Sequence, residues 1–112
     1  MAMLDPIAGE MERYMSLLTA RQRVVSSNIA NADTPDYKTE DIDFQSELRN
    51  SVLGLRPEVV EVKGLTEKND GNNVNLDREA KLLAENVLRF NITSNLLRSQ
   101  IRLVRAALDG SK

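Results

Sequence analysis

Apolar residues recur at alternating spacings of four and three over Leu76, Ala80, Leu83, Val87, Phe90, Ser94, Leu97, Ile101, Val104 and Leu108, and only Ser94 is polar. A heptad seam sustained this long predicts one continuous α-helix over about residues 75–109. At 1.5 Å per residue the helix is roughly 50 Å long, whereas a globule of this chain length has a radius of gyration of about 13 Å. A second apolar set, Leu88, Ile92, Leu96, Leu103 and Ala107, falls nearly opposite the first seam at 100° per residue. A helix apolar on two faces needs two partners. The chain supplies one of them, and the second is expected to be another subunit, with Leu88, Ile92, Leu96 and Leu103 as the subunit interface.

The first partner is legible near the N-terminus. Leu4, Ile7, Met11, Tyr14, Leu18, Val25 and Ala32 form a helical stripe, flanked by Ala8, Met15 and Ile29. Asp5 suits an N-cap and Pro6 the first helical turn, so a helix is predicted over about residues 5–31. Packed as an antiparallel hairpin, the two helices share a core of Leu4, Ile7, Met11, Leu18, Val25, Leu83, Val87, Phe90, Leu97, Ile101 and Val104. Arg21, Gln22 and Asn28 interrupt the stripe. They are either the frayed edge of the core or polar seam residues that set register, as a single buried polar residue does in coiled coils.

Between the helices, residues 32–74 form a mostly irregular middle. Asp43 reads as the N-cap of a short helix whose inner face carries Phe44, Leu48 and Val52, closed by Gly54 and Pro57. The β-branched Val59, Val60 and Val62 give a weak strand reading. Residues 66–73 are a polar loop with an Asp70-Gly71 turn signal. A calcium loop centred on Gly71 fails, because Lys68 would occupy a ligand position. Asn75 reads as the N-cap of the long helix, with Asp77 and Glu79 in a first turn where the helix dipole favours acids. The fold expected is one mainly α domain spanning residues 1–112: a hairpin of two long terminal helices with an irregular middle holding a short helix and a short β segment.

Composition removes several function classes. The chain has no cysteine and no histidine, which excludes thiol nucleophiles, His-based acid–base pairs, zinc fingers and disulfide frameworks. Carboxylates spread over a helical hairpin are ordinary solvated faces, so no enzyme, catalytic residue, cofactor or metal site is expected. The net charge of −2 gives no electrostatic case for nucleic acid. No run approaches the length of a membrane span. Asp5, Pro6, Glu10 and Glu12 stand where the apolar core of a cleaved signal peptide would lie. Acids outnumber bases by ten to five over residues 33–70, and bases outnumber acids by seven to four from residue 76 onward. Either these are solvated faces, or the acidic middle meets the basic helix of a neighbour.

The turn after the first helix is more specific. Pro35 pushes Thr34 out of the α region, and Thr34-Pro35-Asp36-Tyr37 reads as a β-turn with Pro at its second position. With the preceding Asn28-Ile29-Ala30-Asn31, this string closely resembles the N-terminal signature of flagellar rod, hook and hook-associated axial proteins: Asn-Ile-Ala-Asn, a short spacer, then Thr-Pro-Gly-Tyr. Asn28, Ile29, Ala30, Asn31, Thr34, Pro35 and Tyr37 match. Asp36 stands where that family has Gly, which leaves two geometries open: a left-handed Asp at a cost of about 1 kcal/mol, or a right-handed one. Asp43-Phe44-Gln45 and Asp70-Gly71-Asn72-Asn73-Val74 are similar to blocks of the family's proximal rod members.

The resemblance spans nearly the whole chain. It implies a structural subunit of the bacterial flagellar rod, exported by the flagellar type III apparatus without a cleaved signal and resident in the periplasmic rod. It also implies partners: other copies of itself, adjoining rod proteins and the basal-body protein linking rod to membrane ring. Terminal helices of neighbouring copies would then build a drive shaft that transmits torque. The alternative is a helical coiled-coil adaptor or export-chaperone-like bundle. That reading accounts for the helices but not for the two loop strings.

Overall fold

The structure is a computed structural model that describes residues 6–50 and 56–110. Its elements run α1 (Pro6–Ala30), β1 (Glu40–Ile42), α2 (Phe44–Asn50), β2 (Val59–Glu61) and α3 (Leu76–Gly110). The molecule is elongated, 69 × 26 × 18 Å with a radius of gyration of 18.0 Å. Leu4, Asp5, Val52 and Gly54 lie outside the described residues.

Local chemistry sets the element ends. α1 stops where Asn31 bends the chain: its amide donates to Ser27 O (3.0 Å) and its side-chain Nδ2 to the same carbonyl (2.8 Å). The Tyr37 amide then closes the turn on Thr34 O (3.2 Å), and Asp36 has φ +62°. Asp36 therefore takes the left-handed branch, with proline before it, as a type II turn requires. Asp43 caps α2, with its carboxylate receiving the Ser46 amide (3.4 Å) and the Ser46 hydroxyl (3.1 Å). Asn75 caps α3 through Oδ1, which accepts from the Arg78 amide (3.0 Å). The valines of residues 59–60 do form a strand. β2 pairs antiparallel with β1, Glu40 opposite Glu61 and Ile42 opposite Val59.

α1 and α3 pack as an antiparallel hairpin: Asn28 meets Glu79, Gln22 meets Asn86, and Tyr14 meets Arg89. α1 contributes buried Ala8, Leu17, Leu18 and Val25, and Ala32 and Ile42 close the core beyond it. The face that α3 turns to α1 differs from the expected seam. The buried residues of α3 are Glu79, Asn86 and Thr93, all polar and seven apart. Leu83, Phe90 and Leu97 are half-buried and shared with the expected seam, but Val87, Ile101 and Val104 are 45%, 40% and 37% exposed. On α1, Ile7 is exposed and Met11 half-buried. α3 is thus rotated by roughly 50° from the register that apolar periodicity alone dictates, half of one residue's turn. The reason is hydrogen bonding. Asn86 Nδ2 donates to Leu18 O (2.8 Å) and to Gln22 Oε1 (2.9 Å), which holds this face of α3 against α1.

Candidate functional site

The residues singled out from the loop strings converge at one end of the hairpin, where they form a clasp. Asn28, at the end of α1, is fully buried and makes four bonds. Its Nδ2 donates to Glu79 Oε1 (2.6 Å) and to Glu40 O (2.8 Å). Its Oδ1 accepts the Tyr37 hydroxyl (2.9 Å) and the Glu40 amide (3.1 Å). One side chain thus ties α1, the turn, β1 and α3 together, and uses both donors and both lone pairs of the amide.

The second loop string completes the clasp from below. Asn72, also fully buried, donates through Nδ2 to Asn31 O (2.9 Å) and Thr34 O (2.8 Å), two carbonyls of the turn that follows α1. Its Oδ1 accepts the Val74 amide (2.8 Å), and its own amide donates to Asp70 Oδ1 (3.0 Å). Asn73 Oδ1 accepts the Thr39 amide (2.7 Å), and the Thr39 hydroxyl donates to Asn73 O (3.2 Å). The Asp36 amide donates to Asp70 O (2.9 Å). Gly71, at φ +84°, lies against the Asp36 side chain so closely that a Cβ there would overlap the carboxylate. Lys68 Nζ reaches Ala32 O (2.8 Å), and Lys38 Nζ bonds both Gly71 O and Glu67 Oε1. Among the described residues, no buried side-chain nitrogen or oxygen lacks a partner.

A charged pair of arms flanks the clasp. Asp41 on β1 accepts two bonds from Arg21 of α1 (Nε, 3.1 Å; Nη2, 3.0 Å) and a third from Arg78 of α3 (3.0 Å). Burial acts to raise the Asp41 pKa. The Arg21 guanidinium, the Ile42 amide (2.7 Å) and Arg78 outweigh it and hold the carboxyl below its ordinary value. Arg78 also pairs with Glu79. Arg21 further stands over the Phe44 ring at 5.9 Å, and Phe44 meets Tyr14 edge-on at 5.3 Å, which seats α2 against α1. Of the Asp43-Phe44-Gln45 block, Asp43 caps, Phe44 packs and Gln45 is exposed. Pro35 is exposed at the outer corner of the turn.

Periodicity and motif matching missed part of this site. Glu79 reads from sequence as a solvated first-turn acid, yet it is the fully buried partner of Asn28. Asp41, Arg78, Thr39 and Asn86 carried no local signal. The one signal available was the polar heptad Glu79, Asn86, Thr93 and Gln100, which parallels the apolar seam one position earlier. Of the two readings for Gln22, Arg21 and Asn28, the structure has all three hydrogen-bonded across the hairpin and its β arm.

The chemistry of the clasp is structural: amides, carbonyls and paired charges, all mutually satisfied. Among the described residues, no group of His, Cys, Asp or Glu side chains could hold a metal ion, and no helix is long and apolar enough to cross a membrane. Outside the clasp, α3 exposes Leu88, Ile92, Leu96 and Leu103, at 60%, 50%, 52% and 65%. Leu96 also lines an open groove of about 450 Å³ with Ile7, Met11 and Tyr14 of α1 and Leu48 of α2.

Comparison with known proteins gives this architecture its class. The family described as flagella basal body rod protein matches residues 15–38, the second half of α1 through the Tyr37 turn. That match, together with the relatives that follow, makes the chain a structural subunit of the flagellar basal-body rod. Over nearly its whole length the chain is similar to the flagellar basal body rod protein FlgB of Salmonella typhimurium, 31% identical with 96% of each chain covered. It is 32% identical to that of Escherichia coli, over 88% of this chain and 90% of the relative. It is also 32% identical to that of Borreliella burgdorferi, over 75% and 82%. The chain belongs to the FlgB family.

Proposed function

We propose that the chain is a proximal rod subunit that assembles through its terminal helices, and that Leu88, Ile92, Leu96 and Leu103 of α3 are the contact with neighbouring copies and adjoining rod proteins. The observation that carries this reading is the exposed apolar stripe on a helix longer than its partner: α3 has 35 residues against 25 in α1, and residues 101–110 are all exposed. Apolar surface of this extent on a monomer marks an interaction site. The clasp supports the same reading by fixing the angle at which α1 leaves α3, so that every copy offers the same surfaces. A tube built from such hairpins carries torque between motor and hook. Its further partners are the basal-body protein linking rod to membrane ring and the flagellar type III export apparatus, with export to the periplasm requiring no cleaved signal.

The test is Ile92→Glu with Leu103→Glu. A carboxylate is tolerated in water but costs several kcal/mol when buried unpaired in an assembly contact. Circular dichroism of the double variant is expected to match wild type while cells carrying it lose basal-body rods and motility. Normal motility, or collapse of monomer helicity, overturns the assignment of this face. A soluble one-to-one complex with a single client, in place of rods, favours the adaptor or chaperone reading.

A further inference from the structure

We infer that α3 has two registers on α1, and that Asn86 is the positioning residue that holds it in the observed one. The seam that α3 turns to α1 has a central row, the half-buried Leu83, Phe90 and Leu97, with a column of residues on either side. On one side Glu79, Asn86 and Thr93 are buried, and Gln100 continues their column. On the other side, one residue on, stand Ala80, Val87, Ser94 and Ile101, with Val87 and Ile101 exposed. Either column completes a heptad seam with the central row. Neighbouring residues lie about 100° apart on a helix, so a roll of about 50° around that row exchanges the two columns.

Two further observations make the second register accessible. An open cleft of about 250 Å³ lies beside the Asn86–Gln22 bond, between Leu18 and Thr19 of α1 and Val87, Phe90 and Asn91 of α3. It stands on the side from which Val87 would roll inward, so the apolar column meets space and not a packed wall. The clasp does not forbid the movement either. In two straight helices the seam drifts by about 20° per heptad against a strict seven-residue repeat. Glu79 and Gln100 are three heptads apart, so with Glu79 held by Asn28 the drift at the far end is about 60°. Each seventh residue falls short of a whole number of turns, so the drift carries the residue one position later, the apolar column, onto α1. Thr93 is nevertheless buried two heptads beyond Glu79. The polar column is held against the drift, and the two Asn86 bonds to Leu18 O and Gln22 Oε1 lie midway along it.

The roll turns the outer stripe of Leu88, Ile92, Leu96 and Leu103 through the same angle. One chain thus offers that stripe in two directions, and a neighbour that fits one of them better shifts the population between registers. This consequence rests on the assembly reading above. The two registers do not, because they are a property of the single chain.

Paired thiols test the roll. The chain has no cysteine, so Val87→Cys and Thr93→Cys, made separately, each report one column through their rate of alkylation by iodoacetamide. With Asn86 in place, the thiol at position 87 is expected to react fast and that at position 93 slowly. Asn86→Ala, added to each, is expected to slow the first and speed the second, by about threefold or more, as loss of two ordinary hydrogen bonds shifts an equilibrium. Opposite changes are the signature of a roll; a loosened hairpin speeds both. Gln22→Leu guards against that outcome, because it removes one bond while adding apolar surface where Val87 would dock. It is expected to give the same opposite changes with circular dichroism as in wild type. The two registers are overturned if both rates in Gln22→Leu stay at their starting values or move in the same direction. Normal motility of the Ile92→Glu, Leu103→Glu variant removes the assembly face and leaves the thiol result untouched.

Discussion

Asn28 Nδ2 donates to Glu79 Oε1 at 2.6 Å, and neither side chain has any surface in water. This bond links the last turn of α1 to the first turn of α3, fifty-one positions apart in the chain. A buried carboxylate is tolerated only while its partners are in place. Asn28→Ala removes four hydrogen bonds at once and leaves Glu79 with Arg78 alone. The expected loss is about 3 kcal/mol or more of unfolding free energy, measured by urea denaturation. A loss under about 1 kcal/mol would show that the clasp does not hold the hairpin.

Asp36 at φ +62° and Gly71 packed on its carboxylate make opposite predictions for the two loops. Asp36→Gly removes a left-handed side chain and is expected to leave the thermal midpoint unchanged or raise it, by up to about 1 kcal/mol of stability. Gly71→Ala adds a Cβ at positive φ against Asp36 and is expected to cost about 2 kcal/mol or more. In the double variant the Asp36 carboxylate is gone, so part of the Gly71→Ala penalty is expected to disappear. Strict additivity in a double-mutant cycle would show that the two loops do not touch.

Asp41 couples stability to pH. Its folded pKa lies below the ordinary value of 3.8, so the unfolded chain binds the proton more readily than the folded one. The stabilisation is complete above that ordinary value and is lost as the pH falls from it through the lowered folded value. Asp41→Asn removes the titrating group but keeps the shape. The stability difference between wild type and Asp41→Asn is expected to be constant near neutrality and to shrink as the pH drops below 3.8. A difference that stays constant through the acid range would place Asp41 outside the ion-pair network.

The rotation of α3 makes a testable ordering of core substitutions. Leu18, at 1% exposure, is expected to cost about 2–5 kcal/mol on truncation to Ala. Half-buried Leu83 and Leu97 are expected to cost less, about 1–3 kcal/mol, and Val87, at 45% exposure, under about 1 kcal/mol. Denaturant midpoints of the four variants give the order. A Val87→Ala loss equal to that of Leu83→Ala would restore the register that apolar spacing dictates.

Much of this protein was legible because it depends on near neighbours. Pro6, Asp43 and Asn75 mark helix starts through backbone chemistry that acts within a few residues, and the structure has its helix boundaries beside them. The length of α3 and its surplus of apolar faces followed from spacing alone. The strings around Asn28 and Asn72 were recognisable as strings. Their meeting was not, because Asn72 bonds carbonyls at Asn31 and Thr34, about forty positions earlier. The rotation of α3 was decided in three dimensions for the same reason. Apolar periodicity reports how much greasy surface a face carries, and burial rewards every apolar contact in proportion to area, without direction. Hydrogen bonds reward only a partner at the right distance and angle. Glu79 and Asn86 found theirs on α1 and drew the helix around until they were covered, which left Val87, Ile101 and Val104 facing outward. The left-handed Asp36 is a third case: its residue type tolerated either sign of φ, and the hydrogen bond its backbone amide donates to Asp70 O in the opposing loop goes with the positive one.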